Sequence, residues 1–265
     1  MYSIPQLAIK YLLYYLGASN GKGHGTHSPF IFDFITRVLN DRSIYPDYAR
    51  VEGLRAALLK DQRILRVEDL GAGSSTGRSS ERSVASIAKH AAKPRKLGQL
   101  LYRIAAHYRP DTILELGTSL GITSAYLAAA QPGAKMVTIE GSTAVASLAE
   151  QHFREMGLNN IRLIRGDFDQ QLLMALEQLG KVDLAFLDGN HRQEPTERYV
   201  SQLLPYLHND SILVLDDIHW SREMEAAWKT VRNLPQVRCT IDLFFIGIVL
   251  FREEFHEKQH FVIRH

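Results

Sequence analysis

Ile113-Leu114-Glu115-Leu116-Gly117-Thr118-Ser119-Leu120-Gly121-Ile122-Thr123-Ser124 runs from an apolar segment through two glycines into helix-forming residues. A loop that cradles a nucleoside needs a strand before it and a helix after it, with glycines where the backbone turns sharply and a ligand comes close. Ser124-Ala125-Tyr126-Leu127-Ala128-Ala129-Ala130 supplies the helix, and Pro132-Gly133 ends it. Lys135-Met136-Val137-Thr138-Ile139-Glu140 reads as the next strand and finishes on an acid. Glu140 falls about 20 residues beyond the loop, where a carboxylate can accept hydrogen bonds from ribose hydroxyls. A second glycine-rich stretch, Gly71-Ala72-Gly73-Ser74-Ser75-Thr76-Gly77, has a short strand before it (Ile64 to Leu70) but only polar residues and a helix after it. It reads as a surface loop, with a lid over the acceptor side as the functional alternative.

Working outward, strands and helices alternate from Asp111. Strands are expected at 112–116, 135–140, 161–165, 182–187 and 211–215, with helices at 122–130, 143–156, 169–179, 195–207 and 222–232. Short, nearly all-apolar strands point to a parallel sheet buried on both faces. The ending differs: 237–244 and 248–252 are two strands with no helix between them, an antiparallel pair around Gly247. Residues 1–108 read mostly as helices (6–16, 29–39, 52–59, 84–90 and 97–108), so the chain divides into a helical extension, 1–108, and an α/β domain, 109–265.

Composition narrows the function classes. At 265 residues, one α/β domain plus an extension can bury a sizeable core. A net charge of +2 gives no global attraction to nucleic acid. The single cysteine, Cys239, excludes an internal disulfide and a thiolate zinc cluster, and its strand-like surroundings mark it as a buried small side chain. Tyr11 to Leu16 is too short for a signal peptide, and no apolar run reaches the length of a membrane span. A soluble cytoplasmic protein is expected, with a homodimer as an open alternative to the monomer.

The alternation closed by a hairpin resembles the class I S-adenosylmethionine-dependent methyltransferases over 111–251. The resemblance implies a Rossmann-like, seven-stranded, mostly parallel sheet with a C-terminal antiparallel hairpin and helices on both faces. It implies that Glu115, Gly117, Thr118, Ser119, Gly121 and Thr123 surround the methionine end of the cofactor. Glu140, Gly141 and Ser142 then belong to the ribose side, and Asp167 and Phe168 in Gly166-Asp167-Phe168 to the adenine side. The chain is most similar to the cation-dependent O-methyltransferases of the catechol and macrolide-sugar types. Their fourth strand ends on Asp, here Asp188 in Leu187-Asp188-Gly189-Asn190-His191, which also borders the cofactor. Their fifth ends on two adjacent ligands, here Asp216-Asp217, nearer the macrolide-sugar pattern than the catechol Asp-Asn. Gly23-His24-Gly25-Thr26-His27-Ser28-Pro29-Phe30 resembles a leader of bacterial methyltransferases and implies nothing about chemistry; His24 and His27 read as turn and cap residues.

The residue types suit that chemistry. In an open parallel sheet, ligands bind beyond the carboxyl ends of the strands, where these acids fall. Asp188, Asp216 and Asp217 repel one another unless one takes up a proton or a hard cation such as Mg²⁺ neutralises them. Such a metal lowers the pKa of a bound hydroxyl and aligns it with the methyl donor. His191 or His219 is the candidate general base, since imidazole titrates near neutrality. Bland readings stand beside these: a helix cap or a pairing with Arg222 for Asp216 or Asp217, a polar rim position for each histidine, and core packing for Phe244 and Phe245, which with Trp220 are also candidates to line an apolar substrate pocket. The leading expectation is methyl transfer to a hydroxyl of a small molecule. The alternatives are a metal-independent methyltransferase of another acceptor, a binding protein that has lost catalysis, and a nicotinamide-dependent oxidoreductase.

Overall fold

The computed structural model describes residues 1–19, 21–22, 28–68 and 79–265. Contacts divide the chain into two compact units, residues 41–179 and residues 1–40 with 180–265, so the units part at points other than residue 108.

The chain begins with helix α1 (Ile4–Gly17), whose first turn is closed by the Gln6 side chain accepting from Ser3 N at 2.9 Å. Helix α2 (Pro29–Asp33) continues directly into a π-helical turn (Phe34–Leu39) that buries Phe34, Ile35, Val38 and Leu39.

In the 41–179 unit, α3 (Pro46–Leu58) leads to a separate two-stranded antiparallel sheet, β1 (Ile64–Glu68) and β2 (Ser79–Ser83). The expected strand before the Gly71–Gly77 stretch is β1; the stretch itself lies outside the described residues. Helix α4 (Val84–Ala91) is capped by Ser83 Oγ, which accepts from Ser86 N at 3.1 Å. Helix α5 (Arg95–Tyr108) ends where Arg109 turns left-handed (φ 50°) ahead of Pro110. Then come β3 (Thr112–Leu116), α6 (Ile122–Ala130), β4 (Lys135–Glu140), α7 (Thr143–Glu155), β5 (Ile161–Arg165) and α8 (Phe168–Leu179). β3 is buried at every position, as an all-apolar parallel strand requires.

The α3–α5 helices share a core with α6: Tyr48, Val51, Ile87, Tyr102 and Tyr126 are all buried in it. Gly98 on α5 permits that closeness, because a Cβ there would lie 2.6 Å from Tyr126 Cε2. Tyr126 cannot swing away easily, being fully buried with its hydroxyl donating to Glu52 at 2.7 Å. Gly98→Ala gains about 1 kcal/mol of helix propensity but loses about 1–3 kcal/mol to overpacking. With the ring immobile, overpacking wins, and urea denaturation is expected to show net destabilisation.

In the other unit the strands are β6 (Leu184–Leu187), β7 (Ile212–Asp216), β8 (Cys239–Asp242), β9 (Ile246–Leu250) and β10 (Gln259–Val262), with helices α9 (Gln193–Leu203) and α10 (Arg222–Asn233). Helix α10 is capped by Ser221 Oγ on Met224 N at 3.1 Å, so neither Asp216 nor Asp217 is its cap. β8 and β9 form the expected antiparallel pair, with Asp242 opposite Gly247. Cys239 is buried and free, and burial pushes its thiol up to about 12. β10 is one strand more than the seven expected; it runs parallel to β8, with Gln259 opposite Cys239. Within this unit the strands run in the order β10-β8-β9-β7-β6, and within the 41–179 unit in the order β3-β4-β5.

Candidate functional site

The glycine loop after β3 needs three left-handed residues, Gly117 (φ 98°), Ser119 (φ 48°) and Gly121 (φ 84°). Two are glycines, for which that region is open; Ser119 adopts it at a cost. The loop is held from β4. Gly117 N and Thr118 N both donate to Ile139 O, at 3.0 and 3.2 Å. Glu140 at the end of β4 accepts from Ser119 N with Oε2 (2.8 Å) and from Ser142 N with Oε1 (2.9 Å). One carboxylate therefore joins two backbone turns. Ser142 is only 2% exposed, and its hydroxyl finds no hydrogen-bond partner among the described residues. Such an orphaned hydroxyl beside Glu140 fits a site completed by a polar ligand. Gly141 is half-buried between them.

Asp167 follows the left-handed Gly166 (φ 135°) and opens α8, its Oδ1 accepting from Asp169 N at 2.7 Å. Phe168 begins that helix and is half-buried. Thr123, in the first turn of α6, is 7% exposed. His152 on α7 is also buried and donates from Nδ1 to Leu120 O at 3.0 Å. Burial lowers its pKa, so the native chain holds it neutral. The unfolded chain binds that proton more readily, so stability is complete above about pH 6.5 and declines as pH falls toward the native pKa. His152→Gln is expected to flatten that slope in denaturant titrations between pH 7 and 5.

The unit of residues 1–40 and 180–265 carries the acids. Ligand atoms of Asp188, His191 and Asp216 all lie within 4.8 Å of one another. His191 Nε2 is 3.4 Å from Asp188 Oδ1, and Nδ1 is 4.0 Å from Asp217 Oδ2. Of the three aspartates expected for a metal, Asp188 and Asp216 lie in this group with His191, and Asp217 stands beside His191. The reason is the backbone. Asp216 is the last residue of β7 and buried, whereas Asp217 has turned left-handed (φ 53°) with its N–H donated to Phe245 O at 2.7 Å. Asn190 (φ 64°) and His191 (φ 27°) are left-handed as well, which folds the segment after β6 tightly enough to bring His191 back to Asp188.

His219 is engaged elsewhere. Its Nε2 is 2.8 Å from Asp242 Oδ2 and its Nδ1 is 3.2 Å from Glu225 Oε1, and the ring stacks on Phe244. Burial alone would lower its pKa, but the carboxylates of Asp242 and then Glu225 outweigh it and the pKa is raised. Glu225 also accepts from Tyr2 (2.6 Å) and Lys10 (2.8 Å), which fastens α1. Both nitrogens of His219 thus face carboxylates. Phe244 is buried under Tyr11 and Tyr14, the core role weighed for it, while Phe245 is 48% exposed.

Residues 114–218 match the family described as "Methyltransferase domain". The chain is similar to a methyltransferase domain over that segment. Its segment is 34% identical over 95 residues to the transmembrane O-methyltransferase homolog of Rattus norvegicus and 33% identical over 95 residues to the transmembrane O-methyltransferase of Homo sapiens. Each match covers 34% of this chain and 37% or 33% of the relative, so the similarity spans about a third of the curated proteins' length. The SAH-bound methyltransferase PaMTH1 of Podospora anserina superposes with a TM-score of 0.59 at 14% identity, over 95% of this chain and 98% of that one. The O-methyltransferase from Bacillus cereus in complex with SAH gives 0.55 at 17%, over 83% and 97%. At those identities the likeness is one of fold.

The matched segment takes in every candidate residue from Glu115 to Asp217, and His219 lies just beyond it. Sequence reasoning passed over Thr138 and Ser124, both fully buried under the glycine loop; a polar residue inside an otherwise apolar strand was the available signal. The leader residues His24 and His27 lie outside the described residues. Among those described, no helix is long and apolar enough to cross a membrane.

Proposed function

We propose that the chain transfers the methyl group of S-adenosylmethionine to a hydroxyl of a small-molecule acceptor, releasing S-adenosylhomocysteine and a proton. The observation that carries this reading is the Glu140 clamp: one strand-end carboxylate holding Ser119 N and Ser142 N within a matched methyltransferase domain. In this reading Glu140 receives the ribose hydroxyls, Gly117 to Thr123 surround the methionine end, and Asp167 and Phe168 border the adenine. The sulfonium of the cofactor supplies an already activated methyl group.

The Asp188–His191–Asp216 set fits a divalent cation, since two carboxylates and an imidazole lie within reach of one ion. Carboxylate oxygens suit Mg²⁺, and the imidazole moves the preference toward Mn²⁺. A bound cation would supply Lewis acidity, lowering the pKa of an acceptor hydroxyl. Asp188 and Asp216 would hold it, and Asp217 would orient His191.

A second reading is favoured by His191 itself, which lies between Asp188 and Asp217 as an oriented base does. There, the imidazole takes the acceptor's proton without a metal. Calorimetry with S-adenosylmethionine and NAD side by side, then radiolabelled methyl transfer to a panel of hydroxylated acceptors with and without EDTA, separates the readings. Transfer abolished by EDTA and restored by Mg²⁺ or Mn²⁺ supports the metal. Transfer that survives EDTA and is lost in His191→Ala supports the base. Binding of NAD with no affinity for S-adenosylmethionine sinks both.

A further inference from the structure

Beneath the glycine loop, four polar side chains meet in a buried layer, and two of them, Ser124 and Thr138, have no task in the proposed chemistry. Thr138, in β4, donates its hydroxyl to Glu115 Oε2 at 2.7 Å. Ser124, in the first turn of α6, donates to the same oxygen. Thr118 Oγ1 lies 2.6 Å from Thr138 Oγ1. All four residues are at most 2% exposed. A hydroxyl carries one proton. Thr138 has committed its own to Glu115, so the proton between the two threonines belongs to Thr118. The chain therefore runs one way, from Thr118 through Thr138 to the Glu115 carboxylate, and each link depends on the next.

Ser119 shows why such a tether is needed. Its left-handed backbone costs on the order of 1–3 kcal/mol and persists only where the surroundings hold it. Thr118, the residue before it, is held by its amide on Ile139 O and by its hydroxyl on Thr138. We infer that Thr138 is a positioning residue for the S-adenosylmethionine loop: by linking Thr118 to Glu115 it fixes the turn that presents Ser119 N to Glu140. This rests on the proposed cofactor role of that loop.

Calorimetric titration of S-adenosylhomocysteine into wild type, Thr138→Val and Thr138→Ser, each with a thermal melt, tests it. Valine keeps the shape and loses the hydroxyl; serine keeps the hydroxyl and leaves a methyl-sized gap. The expected result is at least a ~10-fold loss of affinity in Thr138→Val and a loss within ~3-fold in Thr138→Ser. A purely structural Thr138 reverses or removes that order, because serine is the variant that leaves a cavity. Wild-type affinity in Thr138→Val, or equal losses in the two variants, overturns the inference while leaving the cofactor reading intact. Wild type that binds neither S-adenosylhomocysteine nor S-adenosylmethionine overturns the cofactor reading, and this inference with it. If Thr138→Val does not fold, Thr118→Val against Thr118→Ser reads the same link from its other end, with the same expected order.

Discussion

Asp216→Ala is expected to lower methyl transfer by at least ~100-fold while S-adenosylhomocysteine binding stays close to wild type. Asp216 is 1% exposed and shares with Asp188 and His191 the place proposed for a divalent cation. Loss of groups that merely orient metal ligands costs about 10–100-fold, and loss of a ligand costs more. The cofactor contacts proposed for Glu140 and the glycine loop belong to other residues, so the loss should fall on the rate of transfer. Asp216→Asn keeps the volume and one acceptor oxygen, and excess Mn²⁺ should recover part of its activity. Steady-state kinetics over a metal titration, with calorimetry for the cofactor, check this. Full activity in Asp216→Ala would remove the metal from the mechanism.

Asp242→Ala should cost stability on a comparable scale, about 3–5 kcal/mol, because it leaves a buried cation without its nearest partner. Asp242 Oδ2 faces His219 Nε2, and Oδ1 accepts from Phe244 N at 2.9 Å. The Asp242 side chain is 6% exposed and that of His219 22%, so solvent compensates little. Removal leaves the imidazolium with Glu225 alone and strands the backbone N–H of the left-handed Phe244 (φ 70°). Asp242→Asn retains one acceptor and should lose markedly less. Urea denaturation of both variants, combined with His219→Leu in a double-mutant cycle, measures the coupling. A cost below ~1 kcal/mol in Asp242→Ala would show that His219 is neutral and loosely held.

The alternating core was legible because its strands are short, apolar and punctuated, and 112–116, 135–140 and 161–165 stand where periodicity puts them. β2 was not legible: Ser79-Ser80-Glu81-Arg82-Ser83 has no apolar side chain and becomes a strand through pairing with β1. β10 was missed for a related reason, since half of Gln259-His260-Phe261-Val262 is polar and its partner lies 20 residues earlier. At the site, sequence located acids at strand ends and left open whom they face. Asp216 and Asp217 look equivalent on paper. In a strand successive side chains alternate sides, and the left-handed turn at Asp217 separates them further. The partners of His219, Asp242 and Glu225, could not be read from the sequence either.

β10 also bears on solubility. It lies outermost beside β8, whose four residues, Cys239 to Asp242, are all buried. An uncovered apolar strand offers a row of free N–H and C=O groups on which another chain can polymerise. β10 occupies that row with a short strand whose own residues are exposed or half-buried, and Ile263 carries the pairing on to Ser19. Trimming the chain before Gln259 would therefore do more than remove a tail. It would turn a guarded sheet margin into a template for aggregation.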